Sequence, residues 1–276
     1  MSTVLILGGA APVHAGHGRD LSLRALTQIR ARGSRVVVTD TAEALAAAPE
    51  YAALADETHA VDYTDPAACV SWALDYRRDH PVDAVMGFRE YAVVAVAAVA
   101  AALGLAGNPP ELVRTVRSKD RCREVLRAQG FRQPALALCS SAEEIVGFLE
   151  AHGGPVVVKP RDAAGSAGVV LVAHARQAVD ALALARSGGG GGGTDVVLVE
   201  EFVSGPEFSI EGMVTGGSPR VLAITRKLLA EGTFVEAGHV TPVRLPQGQH
   251  DDIGEEAARA LKALGVTSGI FHVECW

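Results

Sequence analysis

Aromatic residues and cysteines are scarce in this sequence. Only 5% of the 276 residues are Phe, Trp or Tyr, and Ala and Gly carry much of the chain, so we expect tight packing and Ala-rich helices. The cysteines form no CxxC pair, and no His lies at zinc-finger spacing from them. We therefore interpret Cys69, Cys122, Cys139 and Cys275 as reduced, partly buried thiols and not as a disulfide framework or a zinc site.

Targeting segments and long apolar runs are also missing. Residues 1–7 have no basic stretch and lead straight into a strand pattern, so they do not resemble a signal peptide. The longest apolar run, residues 92–106, consists mainly of Ala and Val and is interrupted by Gly104. It is too short and too weakly apolar to span a membrane and predicts a buried helix. We expect a cytoplasmic protein with no membrane partner.

Positive charge is not in excess. The formal net charge is -7 and the pI is about 5.7. An acidic chain with dispersed Arg and Lys is a poor candidate for nucleic-acid binding. With 49% apolar residues, the chain is long enough for a large core and for one to three domains.

The first third of the sequence alternates strand and helix patterns. Apolar strand patterns at residues 4–7, 35–40 and 82–87 are separated by helical patterns at residues 21–32 and 65–80. The short, fully apolar pattern at residues 4–7, closed by Gly8 and Gly9, is typical of a buried parallel strand. We therefore predict an open α/β layer.

A second unit is predicted after the break at residues 108–110. A helix over residues 111–129, with a bend near Ser118, comes first. Later, a strand at residues 155–160 carries Lys159, and residues 208–214 and 221–225 predict an antiparallel hairpin around Gly216 and Gly217. The predicted domains are residues 1–112, 113–199 and 200–276.

Two familiar nucleotide-binding patterns are absent. The first glycines, Gly8, Gly9, Gly16 and Gly18, do not have G-x-G-x-x-G spacing, which disfavours a Rossmann-type oxidoreductase. The glycine run at residues 188–193 lacks the Lys-Ser or Lys-Thr ending of a P-loop and predicts a flexible connection. Two histidines near the first cluster, His14 and His17, are only a weak indication of an anion site.

The combination of a strand-end lysine and a small-residue loop is more informative. Lys159 is followed by the loop at residues 163–168, whose backbone N–H groups could approach a polyphosphate closely. A hairpin with a surface lysine explains the same residues equally well. Downstream, residues 197–211 place four carboxylates at strand edges and in a short link, and each of them alone is most often a solvated surface group.

The order of these elements resembles the ATP-grasp superfamily. The resemblance covers nearly the whole chain. Within the superfamily, the chain looks most like the branch of ligases that joins small carboxylates to amines. Residues 224–227 and 236–239 look like the dipeptide ligases of that branch. The matching elements, in chain order, are Lys119 in RSKD, Lys159 in VVKP, the loop Gly165, Ser166, Ala167 and Gly168, the segment Glu200, Glu201, Phe202 and Val203, then Glu207, and Glu274 in GIFHVE.

The resemblance implies a fold and a set of residue roles. The fold would be α/β, with an N-terminal open parallel-sheet domain, a small α+β lid domain and an incomplete C-terminal α+β domain. The implied ATP contacts are Lys119 and Lys159 on the α- and β-phosphates, the loop Gly165 to Gly168 over the β- and γ-phosphates, Glu200, Glu201, Phe202 and Val203 as the adenine hinge, and Glu207 on the ribose. The implied catalytic, substrate and metal residues are Lys227 near the γ-phosphate, Glu236 and His239 near the substrate, and Glu274 as a magnesium (Mg²⁺) ligand.

The resemblance also implies a reaction. A substrate carboxylate would attack the γ-phosphate of ATP, and an amine would displace phosphate from the resulting acyl phosphate. Lysines and Mg²⁺ would offset the charge of the transferring oxygens. The implied partners are a small-molecule carboxylate and an amine, and relatives of this kind are often homodimers.

The sequence departs from the family pattern near residue 276. Family members continue into a Glu-x-Asn strand that completes the magnesium site, and no such strand follows Glu274 here. We expect a fragment that binds ATP but turns over slowly, or a site that another chain completes. The alternatives are a non-catalytic ATP-binding module and a carboxylase or purine-pathway ligase of the same superfamily.

Overall fold

The computed structural model describes residues 1–10, 17–163, 165–188 and 195–276. Within these residues the chain forms two compact units, Met1–Arg114 and Thr115–Trp276. No helix in the described ranges combines the length and the apolarity needed to cross a membrane. His14 and most of the glycine run at residues 188–193 lie outside the described residues.

The first unit is built around a parallel sheet. Its elements are β1 (Thr3–Leu7), α1 (His17–Ala31), β2 (Arg35–Asp40), α2 (Ala42–Ala47), α3 (Pro49–Leu54), β3 (Glu57–Ala60), α4 (Pro66–Asp79), β4 (Ala84–Met86), α5 (Val93–Leu103) and α6 (Pro110–Arg117), the last of which crosses into the second unit. The strand order is β3-β2-β1-β4, and all three strand pairs are parallel. The predicted open α/β layer is therefore confirmed.

Both faces of this sheet are buried, which explains its strand sequences. Leu5 and Leu7 of β1 point to one apolar cluster with α4 and α5, whereas Val4 and Ile6 point to another. Helix α4 begins where the sequence predicts, because Asp65 accepts hydrogen bonds from the N–H groups of Ala67 and Ala68. Strands β1 and β2 thus form the buried centre of this sheet, whereas β3 and β4 are only partly buried.

The second unit contains two antiparallel sheets. Its elements are α7 (Lys119–Ala128), β5 (Leu136–Cys139), α8 (Ala142–His152), β6 (Val156–Lys159), β7 (Val170–Val172), α9 (Ala178–Ser187), β8 (Val197–Glu201), β9 (Phe208–Thr215), β10 (Ser218–Leu229), β11 (Glu236–Val240), α10 (Gln247–Leu264) and β12 (Gly269–Cys275). The strand orders are β5-β8-β6-β7 and β11-β10-β9-β12. The helix predicted over residues 111–129 is instead two helices, α6 and α7, with Ser118 in an extended conformation between them.

Each sheet of the second unit has one face covered by helices. Helices α8 and α9 pack on the first sheet around Val156, Val158 and Val199. Helix α10 packs on the second sheet around Phe208, Ile210 and Ile224. Alternation along each strand then leaves the polar side chains of the second sheet, including Ser209 and Lys227, on the opposite face.

The hairpin of β9 and β10 is confirmed and is longer than predicted. The pairing extends from Ser218↔Thr215 to Arg226↔Phe208. Within it, a Cβ on Gly212 would lie 2.2 Å from the carbonyl oxygen of Arg220 and 2.4 Å from the ring of Phe271. Only glycine allows the backbones and the Phe271 ring to approach this closely, so this position fixes the three-strand packing.

Candidate active site

Two lysines lie at one end of the first sheet of the second unit. Lys119 begins α7, and its ammonium group donates to the carbonyl oxygen of Ala163 at 2.6 Å. Lys159 ends β6, and its side chain is only 13% exposed. We call these two residues the lysine pair. They are separated by 40 positions in the sequence and are brought to the same small-residue loop by the fold.

The lysine pair is strongly desolvated. Burial lowers the pKa of Lys119, and the positive charge of Lys159 lowers it further. Burial likewise lowers the pKa of Lys159, whereas the negative charges of Glu200 and, more weakly, Glu274 act to raise it. Two desolvated cations close to each other favour the approach of an anion, because the anion relieves both burial and repulsion.

Glu200 lies between Lys159 and an arginine that the sequence analysis did not identify. Its carboxylate accepts from Lys159 and also from Arg123 of α7, which contacts both oxygens, the second at 3.2 Å from Nη2. The Glu200 side chain is 4% exposed. Burial alone would raise the pKa of Glu200, but the two cations outweigh burial and hold the pKa below its usual value.

A second ion pair joins the two segments that carry the lysines. Arg161 follows Lys159 and donates to the buried Asp120 carboxylate at 2.6 Å, and Ser118 donates to the same carboxylate at 2.8 Å. Arg117 donates to the carbonyl oxygen of Asp162 at 2.8 Å. Residues 117–120 and 161–163 are thus held together, so the lysine pair is positioned by surrounding hydrogen bonds.

The small-residue loop has an unusual backbone. Gly165, Ser166 and Gly168 all have positive φ, at 69°, 58° and 70°. Such values favour glycine, and Ser166 tolerates its value while its hydroxyl donates to the carbonyl oxygen of Phe234 at 2.8 Å. A Cβ on Gly168 would lie 3.0 Å from the backbone of Leu184, so a larger residue would not fit. Ala167 lies between these tight positions, and Ala164 is outside the described residues.

The segment predicted as the adenine hinge leaves one backbone position open. The N–H of Glu201 donates to the carbonyl oxygen of Ala135 at 2.8 Å, and the N–H of Ala135 donates to the Glu201 carboxylate at 3.1 Å. The N–H of Phe202 donates to Pro155 at 3.1 Å. Val203 is 37% exposed, and among the described residues its backbone forms no hydrogen bond. The backbone of Val203 is therefore available for hydrogen bonds with a ligand.

Lys227 lies at the centre of three carboxylates on the open face of the second sheet. Its ammonium group is 2.5 Å from Glu207, 2.6 Å from Glu274 and 2.8 Å from Glu236. We call these three residues the carboxylate triad. Burial would lower the pKa of Lys227, but hydrogen bonds with the carboxylate triad outweigh burial and raise the pKa. Lys227 is therefore charged and offsets part of the negative charge around it.

A cavity of about 540 Å³ lies beside this cluster. Glu207 and Lys227 contribute to its wall. The other lining residues are Gly205, Pro206, Arg226, Leu228 and Leu229. Because Glu274 acts electrostatically on Lys159, the lysine pair and the carboxylate triad belong to the same region of the second unit.

Two histidines extend the polar face of this sheet. His239 is 3.0 Å from Glu236, so Glu236 bridges His239 and Lys227. His272 is 3.1 Å from Glu211 and 3.4 Å from Glu274. The hydrogen bond with His272 and then the one with Lys227 lower the pKa of Glu274 to about 2, although burial opposes them. Glu274 is therefore ionised at neutral pH.

The described residues contain no group of three or more His, Cys, Asp or Glu side chains arranged to hold a metal ion. The carboxylate triad converges on an ammonium group instead. Mg²⁺ usually takes one or two carboxylates together with phosphate oxygens and water. Glu274 fits the role of one such carboxylate, because it is ionised and lies in the same region as the lysine pair.

Sequence reasoning missed Arg123 and two pairings of this site, that of Arg161 with Asp120 and that of Glu211 with His272. An available signal was the spacing of Lys119 and Arg123, which places both on one face of a helix. The partner of each group is far away in the sequence, so the ion pairs themselves had no local signature.

Two family models match this chain. Residues 152–276 match the ATP-grasp domain, and residues 28–107 match the ATP-grasp N-terminal domain. These ranges lie in different compact units and include β6 to β12 of the second unit and β2 to β4 of the first. The matches therefore agree with the order of elements on which the resemblance rested.

Several of the similar curated proteins are named as ligases. Alanine–anticapsin ligase of Bacillus subtilis is 25% identical over 211 residues, which cover 70% of this chain and 44% of that protein. Phosphoribosylamine–glycine ligase of Streptococcus pneumoniae is 36% identical over 100 residues, or 36% of this chain and 24% of that protein. The chain thus spans less than half the length of these relatives.

A solved structure extends the similarity to the whole chain at the level of the fold. The L-amino acid ligase from Bacillus licheniformis superposes with a TM-score of 0.75 and 24% identity, covering 99% of this chain and 63% of that chain. The predicted α/β class, with an open parallel sheet in the first unit, is therefore confirmed, and the chain shares the fold of that solved structure.

Proposed function

Because this chain belongs to the ATP-grasp superfamily, we propose that it functions in an ATP-dependent ligase that joins a small carboxylate, an amino acid, to an amine. ADP and phosphate are the other products. The observation that carries the proposal is the lysine pair, two desolvated ammonium groups at a loop whose backbone is open enough to approach phosphates. The similarity to alanine–anticapsin ligase supports an amino acid as the carboxylate.

In this proposal, different residues bind the phosphates, the adenine and the ribose of ATP. Lys119 and Lys159 bind the phosphates, and the loop Gly165 to Gly168 covers them. Val203 offers its free backbone groups to the adenine edge. Glu207 is buried beside the cavity, and one of its oxygens is bound by Lys227, so the other can accept from a ribose hydroxyl.

The chemistry requires no nucleophilic side chain. A carboxylate oxygen of the substrate attacks the γ-phosphorus, the bond to the β–γ bridging oxygen breaks, and ADP leaves. The amine nitrogen then attacks the acyl carbon, phosphate leaves, and the nitrogen loses a proton. The lysine pair carries positive charge toward the phosphates, and electrostatic stabilisation of this kind is the main contribution proteins make to phosphoryl transfer. Lys227, whose charge is outnumbered by the carboxylate triad, is assigned beside the γ-phosphate.

The substrate and metal residues follow from the same geometry. Glu236 and His239 form a polar pair beside Lys227, and we assign them to the substrate. Glu274 would hold Mg²⁺ against the phosphates, where the ion would neutralise negative charge. We place the enzyme in the cytoplasm, where ATP is available. We also expect a homodimer, which light scattering would detect from the molar mass in solution.

The similarity to phosphoribosylamine–glycine ligase favours a second candidate, a purine-pathway ligase. That reaction also joins an amine to a carboxylate, so the amino-acid ligase and the purine-pathway ligase differ only in their substrates. A non-catalytic ATP-binding module is the alternative from another class.

The test combines nucleotide binding with a substrate screen. Titration calorimetry measures ATP affinity, and phosphate release is followed with single amino acids, amino-acid pairs, and glycine with phosphoribosylamine, each with Mg²⁺. Amino-acid-dependent phosphate release with an amide product in mass spectrometry supports the proposal. ATP binding without release under every condition supports the non-catalytic module, and absence of ATP binding contradicts both.

A further inference from the structure

Arg123 lies one helical turn after Lys119 on α7 and contacts no other carboxylate than Glu200 in the described part of the chain. Its Nε and Nη2 atoms each meet one Glu200 oxygen, and its Nη1 donates to the side-chain oxygen of Gln133 at 3.1 Å. This bidentate, fixed geometry is the arrangement that orients a carboxylate most strictly. The guanidinium is 21% exposed, whereas Glu200 is 4% exposed.

The charge balance around Glu200 depends on this arginine. Arg123 and Lys159 contribute two positive charges and Glu200 one negative charge, so the three side chains together are positive by one. Without Arg123, Glu200 and Lys159 would neutralise each other completely. An incoming phosphate would then compete with a buried carboxylate for the same ammonium group, and the low local dielectric makes that competition severe.

We propose that Arg123 is a positioning residue for nucleotide binding: it holds the Glu200 carboxylate so that Lys159 keeps a net attraction for phosphate. Arg123 itself contacts no nucleotide in this proposal and acts only through Glu200. The inference rests on the proposed function, since it takes Lys159 to be a phosphate ligand. It also leaves Glu200 only its backbone for the adenine hinge, because its carboxylate is occupied on both sides.

A purely structural role for Arg123 makes a different prediction. If Arg123 only holds α7 against β8, removal of Arg123 or of Glu200 lowers the stability of the protein and its affinity for triphosphate. Removal of both side chains then restores neither quantity. If Arg123 sets the charge of Lys159, removal of Glu200 should cancel the effect of removing Arg123. The two roles therefore differ in the double variant.

The experiment compares Arg123→Gln, Glu200→Gln and the double variant with the wild type. Inorganic triphosphate is the probe, because it reports phosphate binding without the nucleoside, and calorimetry gives its affinity. Arg127→Gln is the matched control, since Arg127 lies on the same helix and is exposed, and within the described ranges its side chain donates only to the carbonyl oxygen of Pro134, at 2.7 Å. Circular dichroism and a melting curve check folding for each protein.

We expect Arg123→Gln to weaken triphosphate binding about tenfold or more, the size of one lost charge-assisted contact. Glu200→Gln should bind at least as tightly as the wild type. The double variant should return to within about threefold of the wild type, the margin that imperfect additivity leaves. Arg127→Gln should not change the affinity.

The proposal is overturned if folded Arg123→Gln binds like the wild type, or if the double variant binds as weakly as Arg123→Gln. Should Arg123→Gln fail to fold, Glu200→Gln alone decides: unchanged or tighter binding supports the proposal, and a loss of about tenfold overturns it. Failure of the wild type to bind triphosphate and ATP would instead contradict the proposed function. The two failures are thus distinguishable.

Discussion

The ammonium group of Lys227 lies 2.6 Å from the carboxylate of Glu274, although 47 positions separate the two residues. They sit on β10 and β12, with β9 between them. Ser209 on β9 opposes both Glu274 and Thr225, and this small buried residue leaves space for the lysine to reach across the central strand. This ion pair links β10 to β12 across β9, and it also balances part of the negative charge of the carboxylate triad.

Lys159→Ala should weaken ATP binding by roughly 1.5–3 kcal/mol, or about ten- to a hundredfold, because it removes one charged contact to phosphate. Titration calorimetry measures the change. The chain has one lysine outside the site, the exposed Lys262 at the end of α10, and Lys262→Ala is the matched control. Equal affinities for wild type and Lys159→Ala would remove Lys159 from the phosphate site.

Glu207→Gln should weaken binding of ATP more than binding of inorganic triphosphate. Glu207 is assigned to the ribose, which triphosphate lacks, and the loss for ATP should be about tenfold. Because Glu207 also binds Lys227 at 2.5 Å, neutralising it frees positive charge and should leave triphosphate affinity unchanged or higher. Parallel losses for both ligands would mean that Glu207 acts only by holding Lys227.

Lys227→Met should reduce the free energy of unfolding by about 1–3 kcal/mol at pH 7, because it leaves the Glu207 carboxylate, 9% exposed, without its partner. Glu236 and Glu274, 38% and 42% exposed, contribute less because solvent screens their charges. Lys262→Met is the control. The loss should shrink as the pH falls. In the variant, the carboxylate triad gains protons more readily than in the wild type, so acid relieves its repulsion.

The wild type should respond to acid in the opposite direction. Its Glu274 pKa, about 2 in the folded protein, is below the value of an unfolded glutamate, so this carboxylate contributes stability above the unfolded pKa. That contribution is lost as the pH falls from about 4 toward 2. Denaturant unfolding at several pH values measures both curves, and parallel curves would contradict the pairing of Lys227 with the carboxylate triad.

His239→Gln should reduce amino-acid-dependent phosphate release about tenfold or more while leaving ATP affinity unchanged, because one polar substrate contact is lost. In the described part of the chain, His239 contacts Glu236 and neither the lysine pair nor the hinge. His250→Gln on α10 is a matched control, since that exposed histidine is next to Asp251 and outside the site. If ATP affinity alone falls, His239 contacts the nucleotide and not the substrate.

Several parts of the fold followed from local sequence. The fully apolar run at residues 4–7 predicted β1 as a buried parallel strand, because a strand covered on both faces needs no polar alternation. Asp65 and Pro66 predicted the beginning of α4, and Gly216 with Gly217 predicted the β9–β10 hairpin. The short strands β3 and β5 were not predicted, since four residues at a sheet edge carry little pattern of their own.

The sequence by itself determined the order of the chemically important residues. Lys119, Lys159, the small-residue loop, Glu207 and Glu274 occur in one sequence order that resembles one superfamily, and this order needs no coordinates. It also determined where glycine was required, because positive φ at Gly165 and Gly168 depends on the local backbone.

Only the tertiary structure decided how the charges are paired. Glu200 looked like a hinge residue in the sequence, but the fold places its carboxylate between Lys159 and Arg123, which is 77 positions away. Lys227 looked like a lone phosphate ligand, but strand register and a small Ser209 bring three carboxylates to it. Charge pairing depends on which faces and strands meet, and that is set by long-range packing and not by neighbours in the chain.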